Sequence, residues 1–159
     1  MAAGRTGYRQ SYQLAARAML LGRNLVEMQV SDLLAAVAYF DGRPVTLYAK
    51  GSVGPAAMIA AAMDGREAEL AVERSIVSYM EVVAARLHEG LDQTVVPGIL
   101  TKTDLPDALR LLGKRRVTLI SPVTPNGRPM LLKEAPADLK VVLRGEGWSL
   151  ARTMPEWLP

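Results

Sequence analysis

Ser52 is the residue whose neighbours in the chain point most directly to chemistry. It stands in Val45-Thr46-Leu47-Tyr48-Ala49-Lys50-Gly51-Ser52-Val53-Gly54-Pro55-Ala56-Ala57-Met58. This is a short β-branched and apolar run, a turn with two glycines, and an Ala/Met/Ile-rich helical stretch. A strand–turn–helix elbow of this kind lifts a serine at its apex above the carboxyl edge of a parallel sheet. It also leaves the first helical amides, that of Val53 among them, to stabilise an oxyanion. In the pattern G-x-S-x-G, Lys50 takes the place of the first glycine. The same glycines serve an alternative in which Ser52 is only a small residue in a tight strand–helix contact. Lys50 lies two residues before Ser52, so on an extended segment both project to one face. A lysine there is either the base of a serine–lysine pair or a solvated edge charge.

His88 is the single histidine, and there is no cysteine. Disulfides, thiol chemistry, zinc–thiolate sites and multi-histidine metal sites are thereby excluded within one chain, and no metal or cofactor is expected. A helix is predicted from about Ser75 to Glu89, with Ile76, Met80, Val83 and Leu87 as its buried stripe. His88 falls about 100° from the centre of that stripe. It is a boundary histidine favoured by the helix dipole, and it joins the chemistry only if the helix folds back over the elbow.

The elements that position these residues read as one α/β domain over residues 1–159. Residues 1–10 are polar and expected to be loose, and 145–159 an irregular tail anchored by Trp148 and Trp157. Ser11 caps a helix to about Leu21; Gly22-Arg23-Asn24 breaks it. Val30, Leu33, Leu34, Val37 and Phe40 recur at helical spacing and predict a second helix from Val30 to Phe40, with Ser31 or Asp32 near its start. The elbow strand and helix follow, then a strand over Glu67–Val72 and the Ser75–Glu89 helix. Asp104 reads as the N-cap of a short helix to Leu112, with Pro106 in its first turn. Arg116–Ser121 is a strongly apolar strand, Met130–Ala135 a helical turn or two, and Leu139–Leu143 a last strand. Strands alternating with helices predict a small, mostly parallel sheet of about four strands with helices on both faces.

Half of the residues are hydrophobic and the net charge is +3. The basic residues are spread thinly and aromatics are few, so no nucleic-acid partner is expected. Arg115 and Arg116 are a solvated strand edge, and Met58 and Met63 fill the core. No apolar run approaches the roughly 20 residues that cross a bilayer, and Met1-Ala2-Ala3-Gly4-Arg5 lacks the apolar core of a secretion signal. The expectation is a soluble chain without a membrane partner, a cytoplasmic setting being favoured.

Four segments in order add a further signal. Met28-Gln29-Val30-Ser31-Asp32-Leu33-Leu34-Ala35-Ala36 precedes the elbow strand, and Lys50-Gly51-Ser52-Val53-Gly54 forms the elbow. Val96-Pro97-Gly98-Ile99-Leu100 leads to Asp104-Leu105-Pro106-Asp107, and Ile120-Ser121-Pro122-Val123 is followed by Asn126-Gly127-Arg128-Pro129. Together they resemble the α/β-hydrolase superfamily, in particular its acetyl xylan esterase-like branch, over nearly all of this chain and the C-terminal half of a typical member. The resemblance implies a serine ester hydrolase acting on a small ester, with Ser52 as nucleophile, an acid after a later strand and a histidine after the last. Thr124 stands where such families usually carry Asp. Glu73 is the alternative acid, and equally a first-turn helix carboxylate. No histidine follows Leu143, which leaves His88 as the base. The competing expectation is a catalytically inactive or partial hydrolase fold used for binding or oligomerisation. Lys50 in place of a glycine, the absent C-terminal histidine and the absent early strands favour it. A four-stranded sheet with an unpaired edge further predicts a homo-oligomer.

Overall fold

The structure is a computed structural model that describes residues 3–64, 69–113, 117–135 and 140–143, with side chains from residue 10 onward. Its first element, α1 (Ala3–Leu20), begins well before Ser11, so residues 3–10 are helical where a loose segment is predicted. Helix α2 (Leu25–Tyr39) also starts earlier than its apolar spacing suggests, because Asn24 is its N-cap: the Asn24 side chain accepts the Glu27 amide at 2.8 Å. Ser31 lies inside the helix, its hydroxyl donating to the Glu27 carbonyl at 3.1 Å.

Strand β1 (Thr46–Lys50) runs through a 3₁₀ turn, Gly51–Val53, into α3 (Gly54–Met63). Then come β2 (Glu69–Glu73), α4 (Tyr79–Ala84), α5 (Leu105–Leu111), β3 (Val117–Ile120), a 3₁₀ turn at Leu132–Glu134 and β4 (Lys140–Val142). Among the described residues the sheet is four-stranded and parallel throughout, in the order β1-β2-β3-β4. The predicted α/β class and strand count therefore hold. The tail with Trp148 and Trp157, and Arg115 and Arg116, lie outside the described residues.

Alternation along the strands decides which side chains meet the helices. Ala49, Leu70, Val72, Val117 and Leu119 point toward α3 and α5 and share a core with Ala57, Met58, Ala61, Leu105 and Leu109. Met58 is wholly buried; Met63 is 64% exposed and not core. A second cluster, Val26, Val30, Ala56 and Ala60, joins α2 to α3.

The predicted Ser75–Glu89 helix shrinks to the six residues of α4 for two reasons. Arg74 adopts a left-handed φ of 49° and Ser78 is extended (φ −156°, ψ 133°), so the chain leaves β2 without helical geometry. Ser78 then caps α4 through the Glu81 amide, and Asp104 reaches from 25 and 24 residues away to take the Tyr79 and Met80 amides. Ala85, at ψ 137°, ends the helix. Of the expected stripe only Ile76 is buried; Met80, Val83 and Leu87 are exposed.

Asp104 caps α5 as predicted, in a capping box with Asp107 and with proline in the first turn. Its carboxylate accepts the Ser78 hydroxyl at 2.6 Å, the Tyr79 amide at 2.6 Å and the Leu105 amide at 2.7 Å. One side chain thus caps two helices.

Candidate functional site

The three inner turns at the carboxyl edge share one device. Each strand ends on a left-handed residue: Gly51 (φ 65°) after β1, Arg74 (φ 49°) after β2 and Ser121 (φ 42°) after β3. The amides of Arg74 and Ser121 donate to the next strand, at Ile120 O (2.9 Å) and Val142 O (2.7 Å), which holds them in a conformation that non-glycine residues enter at a cost. At the elbow the sharp turn therefore falls on Gly51 and not on Ser52. Lys50 is still extended, at φ −132° and ψ 135°. Ser52 is the second residue of the 3₁₀ turn, one step past the apex predicted for it.

Gly54 shows why the next position must be small. A Cβ there would overlap the Ser75 side chain and stand 2.9 Å from Val72 Cγ1. The close strand–helix approach foreseen for this glycine is present.

A cavity of about 260 Å³ opens at this edge, with Gly51, Ser52, Arg74, Ser75, Glu89 and Gly127 among its walls. Ser52 Oγ donates to Gln93 Oε1 at 3.2 Å. An amide oxygen accepts that hydrogen bond but takes no proton near neutral pH, so Gln93 orients the hydroxyl without activating it. Val53, expected to serve the oxyanion, is not among the cavity walls.

Glu73 closes β2 and is 1% exposed. The Tyr48 hydroxyl donates to its Oε2, and Lys50 Nζ lies 3.2 Å from its Oε1. Strand register makes this inevitable: Lys50 pairs with Glu73 across β1 and β2, so their side chains share a face. Glu73 is thus a strand residue held by β1 and not a first-turn helix carboxylate. Lys50 turns to that carboxylate and away from a serine–lysine partnership.

His88 sits in the segment after α4, exposed, with Nε2 2.6 Å from the Val82 carbonyl. It does not line the Ser52 cavity, although its neighbour Glu89 does. Thr124, at the position where the resemblance implies an acid, is absorbed in its own turn. Its hydroxyl lies 2.6 Å from Asn126 Oδ1 and 3.0 Å from Arg128 O. The structure therefore does not gather Ser52, Glu73 and His88 into one hydrogen-bonded relay.

Gln93, Arg74 and Thr94 are site residues that the sequence did not single out. Arg74 carried at most a weak signal, two residues beyond the predicted Glu67–Val72 strand. Gln93 is 41 positions from Ser52 and carried none. Thr94 is buried and accepts the Tyr79 hydroxyl at its carbonyl, 2.7 Å away. Burial, with the Asp104 charge added, pushes the Tyr79 phenol above its ordinary range and keeps it a donor.

An open parallel sheet with helices, and a serine-bearing elbow at the carboxyl end of β1, define an α/β protein with a polar cavity beyond the carboxyl ends of its strands. No family model, curated protein or solved structure matches this chain. No helix among the described residues is long and apolar enough to cross a membrane.

Proposed function

We propose that this protein is a partial α/β-hydrolase-like fold that binds a small ligand at the elbow cavity without hydrolysing it. The observation that carries this is the partner of Ser52. Its hydroxyl is bonded to a glutamine amide, while the only imidazole is held by the Val82 carbonyl and the buried carboxylate by Tyr48 and Lys50. A serine without a base is a poor nucleophile, and correct placement of the remaining groups does not replace it. The serine-esterase reading keeps one supporting feature, the exposure of the Ser52 hydroxyl to a cavity beside the elbow backbone. Hydrolysis of short-chain p-nitrophenyl esters separates the two. Wild type is expected to match Ser52→Ala and His88→Ala, all at the uncatalysed rate; turnover lost in both variants would establish the esterase instead.

The same reading includes self-assembly. Among the described residues β1 stands at one edge of the sheet, beside β2, and an edge strand is a natural place for a second chain to add. Leu20 and Leu21 at the end of α1 are more than four-fifths exposed, as is Tyr39. Light scattering at micromolar concentration is expected to give a mass of at least two chains; a stable monomer of 17.2 kDa would remove assembly from the proposal.

A further inference from the structure

Two cavities share part of their walls near the elbow. The polar one holds Ser52, Arg74 and Glu89 in its walls. The second, about 380 Å³, lies between α4 and the 91–101 segment and is lined by Val82, Val83, Val95, Ile99 and Leu100. Leu91 and Thr94 belong to the walls of both. The turn that carries them is firmly held. The Thr94 amide and hydroxyl both donate to the Leu91 carbonyl, at 2.9 and 2.8 Å, and the Thr94 carbonyl takes the Tyr79 hydroxyl. Jointly the two spaces reach the size of an ordinary small-molecule site, about 300–1,000 Å³.

The polar cavity has one cation and one anion in its walls, and neither forms an ion pair among the described residues. Both are anchored through their backbones. The Arg74 amide donates to Ile120 O, and the Glu89 amide to Pro125 O, each at 2.9 Å. Glu89 Oε2 lies against Gly127, 3.0 Å from where a Cβ would stand. Two residues of opposite charge, not paired with each other, thus border a small space that shares walls with an apolar one. The chemistry that complements them is a head group carrying both signs, joined to an apolar chain.

We infer that the two cavities form one bipartite site for a small amphiphile, with a zwitterionic head between Arg74 and Glu89 and an apolar chain passing Leu91 into the space beside α4. An α-amino acid with a long straight side chain is the simplest such molecule. Its carboxylate meets the Arg74 guanidinium and its ammonium the Glu89 carboxylate, both charge-assisted contacts. This assignment rests on the non-hydrolytic reading of the elbow cavity and names its ligand class.

Calorimetric titration of the full chain with α-aminooctanoate, octanoate, octylamine and alanine tests it. α-Aminooctanoate is expected to bind tightest, octanoate and octylamine each about tenfold more weakly for the loss of one charged contact, and alanine more weakly still. Arg74→Asn keeps a residue type that tolerates a left-handed backbone and should abolish the preference over octylamine. Glu89→Gln should abolish the preference over octanoate. Val83→Asp, on an exposed side chain and with circular dichroism unchanged, should weaken the three chain-bearing probes about tenfold and leave alanine unaffected. Equal affinities across the probes, indifference to Val83→Asp, or no saturable binding would overturn the bipartite site. Ester turnover that depends on Ser52 would overturn the non-hydrolytic reading instead, and the four affinities decide the bipartite site in either case.

Discussion

Replacing Asp104 by alanine is expected to lower the unfolding free energy by about 3 kcal/mol, the combined scale of two helix caps and a charge-assisted hydrogen bond. The carboxylate serves the Tyr79 and Met80 amides at the start of α4, the Leu105 amide at the start of α5, and the Ser78 hydroxyl. No water-exposed substitute reaches both helix starts at once. For a domain of this size the loss corresponds to a melting temperature lower by roughly 6–12 °C. Asp104→Asn retains one acceptor oxygen and is expected to lose about half as much. A loss below about 1 kcal/mol in the alanine variant would show that the two helices are capped independently of this side chain.

The same residue sets a pH dependence. Burial pushes the Asp104 carboxyl up, but the Ser78 hydroxyl and the Tyr79, Leu105 and Met80 amides together outweigh it and hold the group below the usual carboxylate range. A carboxyl lowered on folding stabilises above its unfolded pKa, and the contribution disappears as pH falls through the folded value. Wild type should therefore lose stability below about pH 4 more steeply than Asp104→Asn. Parallel acid-unfolding curves for the two proteins would contradict the assignment.

The second large effect is expected at Gly54. Even the Cβ of alanine overlaps the Ser75 side chain and presses on Val72, and both neighbours are buried, at 3% and 1% exposure. Neither can move aside, so Gly54→Ala should cost about 3 kcal/mol, the upper part of the range for overpacking. The cause can be isolated with Ser75→Gly, which removes the overlapping atoms. In that background Gly54→Ala should cost less than half as much, as measured by denaturant unfolding. An equal cost in both backgrounds would mean that α3 packs against β2 through other contacts.

Asp104 and Gly54 separate what is local in this sequence from what the fold brings together. Asp104 was legible as a cap because Asp-Leu-Pro-Asp is a local helix start. Its second role, over α4, was not, because the amides it takes lie more than 20 positions earlier. The apolar spacing of Ile76, Met80, Val83 and Leu87 fits a helix period yet marks no buried stripe. A left-handed Arg74 and an extended Ser78 delay the helix beyond Ile76, and Met80, Val83 and Leu87 are then exposed, Val83 in a wall of the apolar cavity. Residues 3–10, with Gly4 and Gly7, read as loose because glycine disfavours helix, and the helix extends through them nonetheless.

The elbow was legible as architecture for a related reason. A β-branched run, Gly51 at a turn needing positive φ, and Gly54 where a helix closes on a strand are local requirements, and the backbone meets all of them. The site was less legible because its chemistry depends on which side chains arrive from elsewhere. Glu73 follows from strand register with Lys50, whereas Gln93 comes from a connection with no periodic pattern and Glu89 from a predicted helix end that the chain leaves at Ala84. Ser52 was placed at the apex by the spacing G-x-S-x-G, one residue from where the left-handed turn stands.

The most direct test of a non-hydrolytic elbow is the intrinsic nucleophilicity of Ser52. Intact-mass analysis after incubation with an alkyl fluorophosphonate, which phosphonylates activated serines and spares ordinary ones, measures it without assuming a substrate. The expected result is an unmodified chain in wild type and Ser52→Ala alike. A single stoichiometric adduct mapping to Ser52 would contradict the account and show that a base reaches this hydroxyl.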